Sequence, residues 1–273
     1  MKRFSIGDAE VGGGQLLVVA GPCVVESVDL CLRVAAHLVA ACEARGLPFV
    51  FKASYVKANR SSARSFRGLP RDEALAILAR VRRDTGAPVL TDVHGVDEVS
   101  AAAEVADVLQ IPAFLSRQTA LLEAAAKSGR AVNVKKGQFL APEDMRQVVD
   151  KVTTAGGERL LLTERGTTFG YHDLVVDMRG LVTMRELGWP VLYDATHSLQ
   201  RPGGEVTGGD RHFAAPLMRA AVACGVDGVF FETHPDPGRA LSDAATQLPL
   251  AEADRFLDEA RRIHEALRER AHA

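Results

Sequence analysis

Short apolar segments of this chain end, one after another, in side chains that bind metals or anions. These residues, at or near the segment ends, are Cys23, Lys52, Asp92, Gln110, Lys135, Arg165, His197 and Glu232. Thiol, imidazole and carboxylate groups are the usual ligands of transition metals, whereas lysine and arginine bind phosphates and carboxylates. The sequence therefore offers two kinds of ligand chemistry, provided that the fold brings the segment ends together.

One candidate metal site combines Cys23, His197, Glu232 and Asp243. Taken singly, each residue has an ordinary alternative: a lone cysteine is often a packing residue, and an aspartate such as Asp243 often caps a helix. Sulfur, nitrogen and oxygen donors together suit Zn²⁺, Fe²⁺, Mn²⁺ or Co²⁺ better than Mg²⁺. If the four residues converge, we expect a divalent transition metal there.

A second candidate site is a group of cations in a chain whose formal net charge is -2. Its members are Lys52, Lys57, Arg60, Arg117, Lys135, Lys136 and Arg165. Unpaired cations at buried segment ends are costly, and the nearby acids Asp92, Glu164 and Asp194 are too few to neutralise them all. A phosphate-bearing ligand would supply the missing charge, because each phosphate carries roughly -1.5 to -2 near neutral pH. The alternative is a charged surface exposed to solvent.

The apolar segments span residues 16–23, 49–55, 89–94, 108–114, 132–137, 160–166, 191–197 and 228–234. They lack polar alternation, as is typical of parallel strands buried on both faces. Amphipathic segments between them predict helices near 29–45, 72–85, 96–106, 117–128, 142–155, 177–188, 214–224 and 250–270. The alternation predicts an α/β fold, a single (β/α)8 TIM barrel.

The length of 273 residues is only slightly above the roughly 250 of a typical barrel, which favours one domain. We assign residues 16–273 to the catalytic barrel and residues 1–15 to a short N-terminal hairpin that plugs its bottom. Gly12, Gly13 and Gly14 are interpreted as the turn of that hairpin. Segments 56–71, 167–174 and 198–213 are interpreted as long loops on the active face.

Barrel closure would bring the two candidate sites together. In such barrels the C-terminal strand ends form the active face, and strand one lies beside strand eight, which lies beside strand seven. Cys23, His197 and Glu232 lie on these three strands, and Asp243 follows the last of them. All four would therefore converge on one arc of the barrel, next to the cations.

Composition excludes several other classes of protein. The slightly negative net charge and the 5% aromatic content argue against a nucleic-acid binder. No apolar run approaches the roughly 20 residues of a membrane span, and residues 1–14 lack the apolar core of a signal peptide. We expect a cytoplasmic protein with reduced cysteines and with no membrane or nucleic-acid partner.

Ordered motifs from about Val18 to Leu250 resemble the 3-deoxy-D-manno-octulosonate-8-phosphate synthase family. They include Gly21-Pro22-Cys23, Phe51-Lys52-Ala53-Ser54, Lys57-Ala58-Asn59-Arg60-Ser61-Ser62, Gln110-Ile111-Pro112-Ala113-Phe114, Asn133-Val134-Lys135-Lys136-Gly137 and Asp194-Ala195-Thr196-His197-Ser198. The resemblance implies an enzyme that joins phosphoenolpyruvate, arabinose 5-phosphate and water into 3-deoxy-D-manno-octulosonate 8-phosphate, releasing phosphate, for lipopolysaccharide synthesis.

The same resemblance implies roles for individual residues. Phosphoenolpyruvate would be held by Lys52, Lys57, Lys135, Arg165 and the Ala113 amide. The sugar phosphate would be bound by Asn59, Arg60, Ser61, Asp92, Gln110 and Phe114, with Arg117 reaching across a subunit boundary of a homotetramer. Catalysis would involve Cys23, Lys52, Lys135 and His197. The family's metal-independent branch carries asparagine at the position of Cys23, so this chain is similar to the metal-dependent branch.

Three other functions remain open from the sequence. A related heptulosonate-phosphate synthase would use erythrose 4-phosphate, but it usually carries a Lys-Pro-Arg-Thr motif in place of residues 57–62. A metal-dependent aldolase explains a metal and a phosphate but not the full set of lysines and arginines. A non-catalytic phosphosugar sensor needs no metal site with four ligands.

Overall fold

A computed structural model describes residues 1–58, 66–201 and 208–271. Its centre is a sheet of eight parallel strands. They are β1 (Leu17–Gly21), β2 (Phe49–Lys52), β3 (Val89–Asp92), β4 (Val108–Ile111), β5 (Ala131–Lys135), β6 (Leu160–Glu164), β7 (Val191–Asp194) and β8 (Gly228–His234). Each strand pairs with the next along the chain, and β8 also pairs with β1. The sheet is therefore closed, and the predicted (β/α)8 barrel is confirmed.

A helix follows each strand and packs on the outside of the barrel. The helices are α1 (Val28–Glu43), α2 (Arg71–Thr85), α3 (Val99–Val105), α4 (Thr119–Lys127), α5 (Met145–Thr154), α6 (Met178–Arg185), α7 (Ala214–Ala223) and α8 (Ala253–Ala271). In α1, Cys31, Val34, Ala35 and Leu38 are buried, at the spacing of one helical face. The Ser27 hydroxyl accepts a hydrogen bond from the Leu30 amide and so caps the start of α1.

Two apolar layers explain why the strands lack polar alternation. The inner layer fills the barrel with side chains such as Val19, Val50, Leu161 and Phe230. The outer layer lies between the strands and the helices. Because both strand faces are buried, each strand is apolar along its length until it reaches the C-terminal face.

The N-terminal hairpin is present, but its predicted turn is wrong. Strand Phe4–Ile6 pairs with Ala9–Val11, so the turn lies at Gly7 and Asp8, where Gly7 has a φ of +56°. Gly12, Gly13 and Gly14 instead lead into the barrel, and a Cβ on Gly12 would stand 2.1 Å from the Lys2 carbonyl oxygen. Gly12 therefore permits a close approach to the Lys2 backbone after the hairpin. The hairpin's buried side chains join the inner apolar layer of the barrel.

Short antiparallel sheets occupy segments that were interpreted as loops. Thr167–Gly170 pairs with Asp173–Val175, and Gln200–Arg201 pairs with Gly208–Gly209. Leu248–Pro249 adds a short parallel strand beside β8. Among the helices that the structure describes, none is both long and apolar enough to cross a membrane.

Candidate active site

The C-terminal strand ends surround a cavity of about 290 Å³. Its lining includes residues that the sequence predicted for the site: Lys52, Lys57, Asp92, Gln110, Ala113, Phe114, Lys135, Arg165, His197 and Asp243. The lining also includes His94, which the sequence indicates as a polar residue near the barrel mouth, Gln138, which it indicates as a neighbour of the site, and Gln200, which no sequence pattern singled out. Cys23 and Glu232 are fully buried.

The four predicted metal ligands converge at one side of this cavity. Ligand atoms of Cys23, Glu232 and Asp243 all lie within 4.8 Å of one another. The His197 Nε2 atom lies 3.5 Å from Glu232 Oε1 and 3.8 Å from Asp243 Oδ2. Barrel closure produces this meeting, because β8 pairs with both β1 and β7. Asp243, with a φ of +47°, begins a turn in which its carbonyl oxygen accepts a hydrogen bond from the Thr246 amide at 3.1 Å, and among the described residues the next helical turn begins only at Leu250, so Asp243 does not cap a helix.

Two observations test whether these residues fit a divalent cation. The Glu232 Oε2 atom is buried and has no hydrogen-bond partner among the residues that the structure describes. Burial, followed by the negative charges of Asp243 and Glu232, raises the pKa of the Cys23 thiol well above its ordinary value. A divalent cation would coordinate the unsatisfied oxygen and stabilise the thiolate. The donor set and its surroundings therefore fit a transition metal.

Lysines already neutralise part of the negative charge at this side. Lys52 Nζ donates hydrogen bonds to Glu232 Oε1 at 2.6 Å and to the Cys23 carbonyl oxygen at 3.1 Å. Lys57 Nζ lies 3.8 Å from the same Glu232 oxygen. Burial opposes ionisation of Glu232, but its interactions with His197, Lys52 and Lys57 hold its pKa below the ordinary value. Some predicted phosphate-binding cations thus also pair with predicted metal ligands.

Asp194, to which the sequence gave no separate role, links the anion site to the imidazole. Its Oδ2 accepts a hydrogen bond from Lys135 Nζ and lies 2.8 Å from His197 Nδ1. Burial opposes ionisation of Asp194, but His197 and Lys135 hold its pKa well below the ordinary value. Because Nδ1 faces this carboxylate, Nε2 is the nitrogen that faces Glu232 and Asp243. The position of Asp194 at the end of β7 was the signal that could have identified it.

A chain of buried polar side chains crosses the sheet and includes Asp92 on β3 and Gln110 on β4, two of the predicted sugar-binding residues. Asp92 accepts hydrogen bonds from the Ser54 hydroxyl and the Gln110 amide. Asn133 Nδ2 donates to Gln110 Oε1 at 2.8 Å, and the Thr163 hydroxyl donates to Asn133 Oδ1 at 2.7 Å. Burial opposes ionisation of Asp92, but Lys52 and Lys57 lower its pKa. The ionised Asp92 carboxylate is therefore held at the cavity by Ser54, which follows β2, and by Gln110 on β4.

Not every cation of the predicted group faces the cavity. Lys136 is fully buried, and its Nζ donates to the Leu140 carbonyl oxygen at 3.1 Å and to Thr167 Oγ1 at 3.0 Å, with Glu164 at 3.5 Å. It therefore joins the segments after β5 and β6 instead of facing a ligand. Arg117 is exposed and lies outside the cavity lining. Asn59, Arg60 and Ser61 lie outside the described residues.

Comparisons with known proteins agree on one family. Residues 4–269 match the DAHP synthetase I family. A protein of Trichlorobacter lovleyi named 2-dehydro-3-deoxyphosphooctonate aldolase is 56% identical over 259 residues, covering 94% of this chain and 95% of the relative. Proteins with the same name from Syntrophotalea carbinolica and Syntrophobacter fumaroxidans are 54% and 51% identical, covering 94% and 98% of this chain and 94% of each relative. The chain therefore belongs to the DAHP synthetase I family, and within it to the group of 2-dehydro-3-deoxyphosphooctonate aldolases.

Proposed function

We propose that this chain is an enzyme that condenses phosphoenolpyruvate with D-arabinose 5-phosphate and water. The products are 3-deoxy-D-manno-octulosonate 8-phosphate and phosphate, for lipopolysaccharide precursor synthesis. The observation that carries the proposal is identity above 50% over nearly the whole chain to relatives named for this phosphooctonate, and not for a heptulosonate. The cavity supports it, because buried cations line a pocket for anionic substrates.

The cations bring together two substrates that repel each other. Lys52, Lys57, Lys135 and Arg165, with the Ala113 amide, would hold phosphoenolpyruvate, and all of these residues line the cavity. Each substrate carries a phosphate, so reaction without the protein requires two anions to approach. Fixing both in one cavity removes that barrier and supplies the orientation that carbon–carbon bond formation needs.

The sugar phosphate would occupy the side of the cavity near β3 and β4. Asp92, Gln110 and Phe114 line that side. The ionised Asp92 would accept hydrogen bonds from sugar hydroxyls, and its partners Ser54 and Gln110 hold it in place. Asn59, Arg60 and Ser61 would bind the sugar and its phosphate, with Arg117 contributed by a neighbouring subunit.

A divalent transition metal would be held by Cys23, His197, Glu232 and Asp243. Zn²⁺, Fe²⁺, Mn²⁺ and Co²⁺ suit this set of ligands. When bound, such an ion supplies Lewis-acid chemistry, either by acidifying a water or by orienting a carbonyl oxygen. Within the protein, Asp194 fixes the imidazole of His197, and Lys52 holds the buried Glu232 carboxylate through a hydrogen bond.

We further propose a homotetramer in the cytoplasm. Exposed aromatic side chains support the assembly: Phe114 and Phe139 are each 55% exposed, Phe169 is 78% exposed and Tyr171 is fully exposed. The Thr168 amide donates to the Gln138 carbonyl oxygen at 2.9 Å, so the segments carrying Phe139 and Phe169 are adjacent. Such apolar patches are typical of subunit interfaces. The cysteines are free thiols, in keeping with a reducing compartment.

The decisive experiment measures phosphate release from phosphoenolpyruvate with each sugar phosphate. Arabinose 5-phosphate should support turnover, whereas erythrose 4-phosphate should support little. Turnover with erythrose 4-phosphate alone would replace the proposal with heptulosonate synthesis. If neither sugar phosphate supports phosphate release at saturating substrate concentrations, both condensations are rejected.

The metal proposal has a separate test. Removing metal with a chelator should abolish turnover, and adding Co²⁺ or Zn²⁺ should restore it. Cys23→Asn should weaken the metal requirement, because the metal-independent branch of the family carries asparagine at this position. The matched control is Cys224→Asn, since Cys224 is half-buried near the end of α7. Full activity of a verified metal-free sample would reject the metal proposal and leave the condensation intact.

A further inference from the structure

Gln200 lies where the anion site and the proposed metal site meet. Its Oε1 accepts a hydrogen bond from Arg165 Nη2 at 2.6 Å, and its Nε2 donates to Asp243 Oδ2 at 3.0 Å. A guanidinium group can only donate and a carboxylate can only accept, so this arrangement fixes which end of the amide faces which partner. One side chain therefore connects an anion-binding arginine to a proposed metal ligand.

The backbone around Gln200 is held in place on both sides. Gln200 follows the short helical turn His197–Leu199, so it is three residues from the imidazole of the proposed metal site. It pairs with Gly209, where a Cβ would stand 2.9 Å from the Leu199 carbonyl oxygen. This close pairing fixes the backbone of Gln200, so its side chain is held between Arg165 and Asp243.

Asp243 depends on its contacts for its orientation. It has a φ of +47°, a left-handed conformation that residues other than glycine adopt at a cost. Its carboxylate is approached by the Cys23 thiol at 3.3 Å and by the Gln200 amide at 3.0 Å. The Gln200 amide is thus one of the contacts that aim this carboxylate toward the other proposed ligands.

We propose that Gln200 is a positioning residue that couples anion binding at Arg165 to metal affinity at Asp243. The inference rests on the proposed function, because it assumes the metal site. An anion held by Arg165 immobilises the guanidinium, which in turn immobilises the amide and the Asp243 carboxylate. Metal binding then requires less ordering of its ligands. By linkage, a bound metal strengthens anion binding by the same factor.

The test uses Co²⁺ and inorganic phosphate as probes, with Gln200→Met as the variant. Methionine has a similar length but neither donates to Asp243 nor accepts from Arg165. Coordination of the Cys23 thiolate gives Co²⁺ an absorption band that reports binding without turnover. We expect Gln200→Met to weaken Co²⁺ binding roughly 10- to 100-fold, as for other residues that orient metal ligands.

The coupling is measured by repeating each titration with saturating phosphate. In the unmodified protein, phosphate should lower the Co²⁺ dissociation constant by about 5-fold or more, and Co²⁺ should lower the phosphate constant equally. In Gln200→Met this factor should fall toward one. Gln200→Asn keeps the amide but is one methylene shorter, so it should fail to span both partners and behave like the methionine variant.

The matched control is Gln147→Met, because Gln147 is exposed on α5, away from the cavity. It should leave both dissociation constants unchanged. Thermal unfolding without metal verifies that the Gln200 variants remain folded. An unmodified protein that binds no Co²⁺ would overturn the metal proposal itself. Normal Co²⁺ binding with an unchanged coupling factor in both Gln200 variants would overturn only the role of Gln200.

Discussion

Replacing Lys52 with methionine should destabilise the metal-free protein by about 3 kcal/mol. Lys52 is 1% exposed, and its Nζ lies 2.6 Å from the Oε1 atom of the fully buried Glu232. The substitution keeps most of the side-chain volume but removes the positive charge. It therefore leaves a buried carboxylate that has lost its nearest counter-charge.

The magnitude follows from two distances. With an effective dielectric constant of about 20, a pair at 2.6 Å gains about 6 kcal/mol of Coulomb energy, and a pair at 3.8 Å gains about 4 kcal/mol. The second value describes Lys57, which still faces Glu232 in the variant. Breaking a buried pair usually costs about 3–5 kcal/mol, and the remaining lysine places the expected loss at the lower end.

The assay is urea unfolding, performed once with a chelator and once with saturating Co²⁺. A bound divalent cation supplies the charge that methionine lacks, so the difference between variant and unmodified protein should shrink when Co²⁺ is present. A ligand that binds only the folded protein stabilises it according to its affinity. The decrease in the stability difference on adding Co²⁺ should therefore equal the extra free energy with which the variant binds Co²⁺, measured directly.

Lys127→Met is the control, because Lys127 is 65% exposed and faces Glu123 at 3.7 Å on the surface of α4. Its loss should change stability by less than about 0.5 kcal/mol in either condition. A metal-free Lys52→Met protein as stable as the unmodified one would refute the electrostatic account of the Glu232 site. A loss that Co²⁺ leaves unchanged would show that the cation does not reach that carboxylate.

Three further measurements test other parts of the structure. Asn133→Ala leaves the buried Gln110 Oε1 acceptor and the buried Thr163 hydroxyl donor unsatisfied. The free energy of unfolding measured in urea should therefore fall by about 2 kcal/mol or more, and an unchanged value would contradict the chain of polar side chains. Asp194 and Glu232 have lowered pKa values in the folded protein, so the stability that their ionised carboxylates contribute should be present above roughly pH 4 and should be lost as the pH falls further. The urea midpoints of the metal-free protein would reveal this loss. Burial raises the pKa of the Cys31 thiol to about 12, so little of it is a thiolate near neutral pH. Iodoacetamide should therefore alkylate the half-buried Cys224 much faster than Cys31, as peptide mass spectrometry would show.

The paired cations change how the anion site is understood. From the sequence, a bound phosphate had to supply the missing negative charge. In the structure, Lys135 pairs with Asp194, and Lys52 and Lys57 face Glu232. The site is thus partly neutralised before any substrate enters, which reduces the cost of holding several cations together. At these three lysines an incoming anion therefore competes with fixed carboxylates.

Local patterns were enough to predict the fold. Continuous apolar runs, such as the one that became β6 at Leu160–Glu164, identify strands buried on both faces, and the amphipathic segments between them identify helices. Their number and order imply a closed parallel barrel. The hairpin turn was the error, because three consecutive glycines look like a turn even though one of them, Gly12, instead permits a close approach to Lys2. Short two-residue strands, such as Gln200–Arg201, leave no pattern long enough to detect.

The sequence by itself determined which residues stand at strand ends, and so which donors and cations share the C-terminal face. Only the tertiary structure decided how those residues pair. Asp194 divides its carboxylate between Lys135 and His197, and Gln200 joins Arg165 to Asp243. Three of these contacts join residues 35 to 59 positions apart, and the fourth joins Asp194 to His197, three positions further along the chain. Hydrogen bonds form over about 3 Å, a precision that the packing of the closed barrel sets and that residue type and spacing cannot encode.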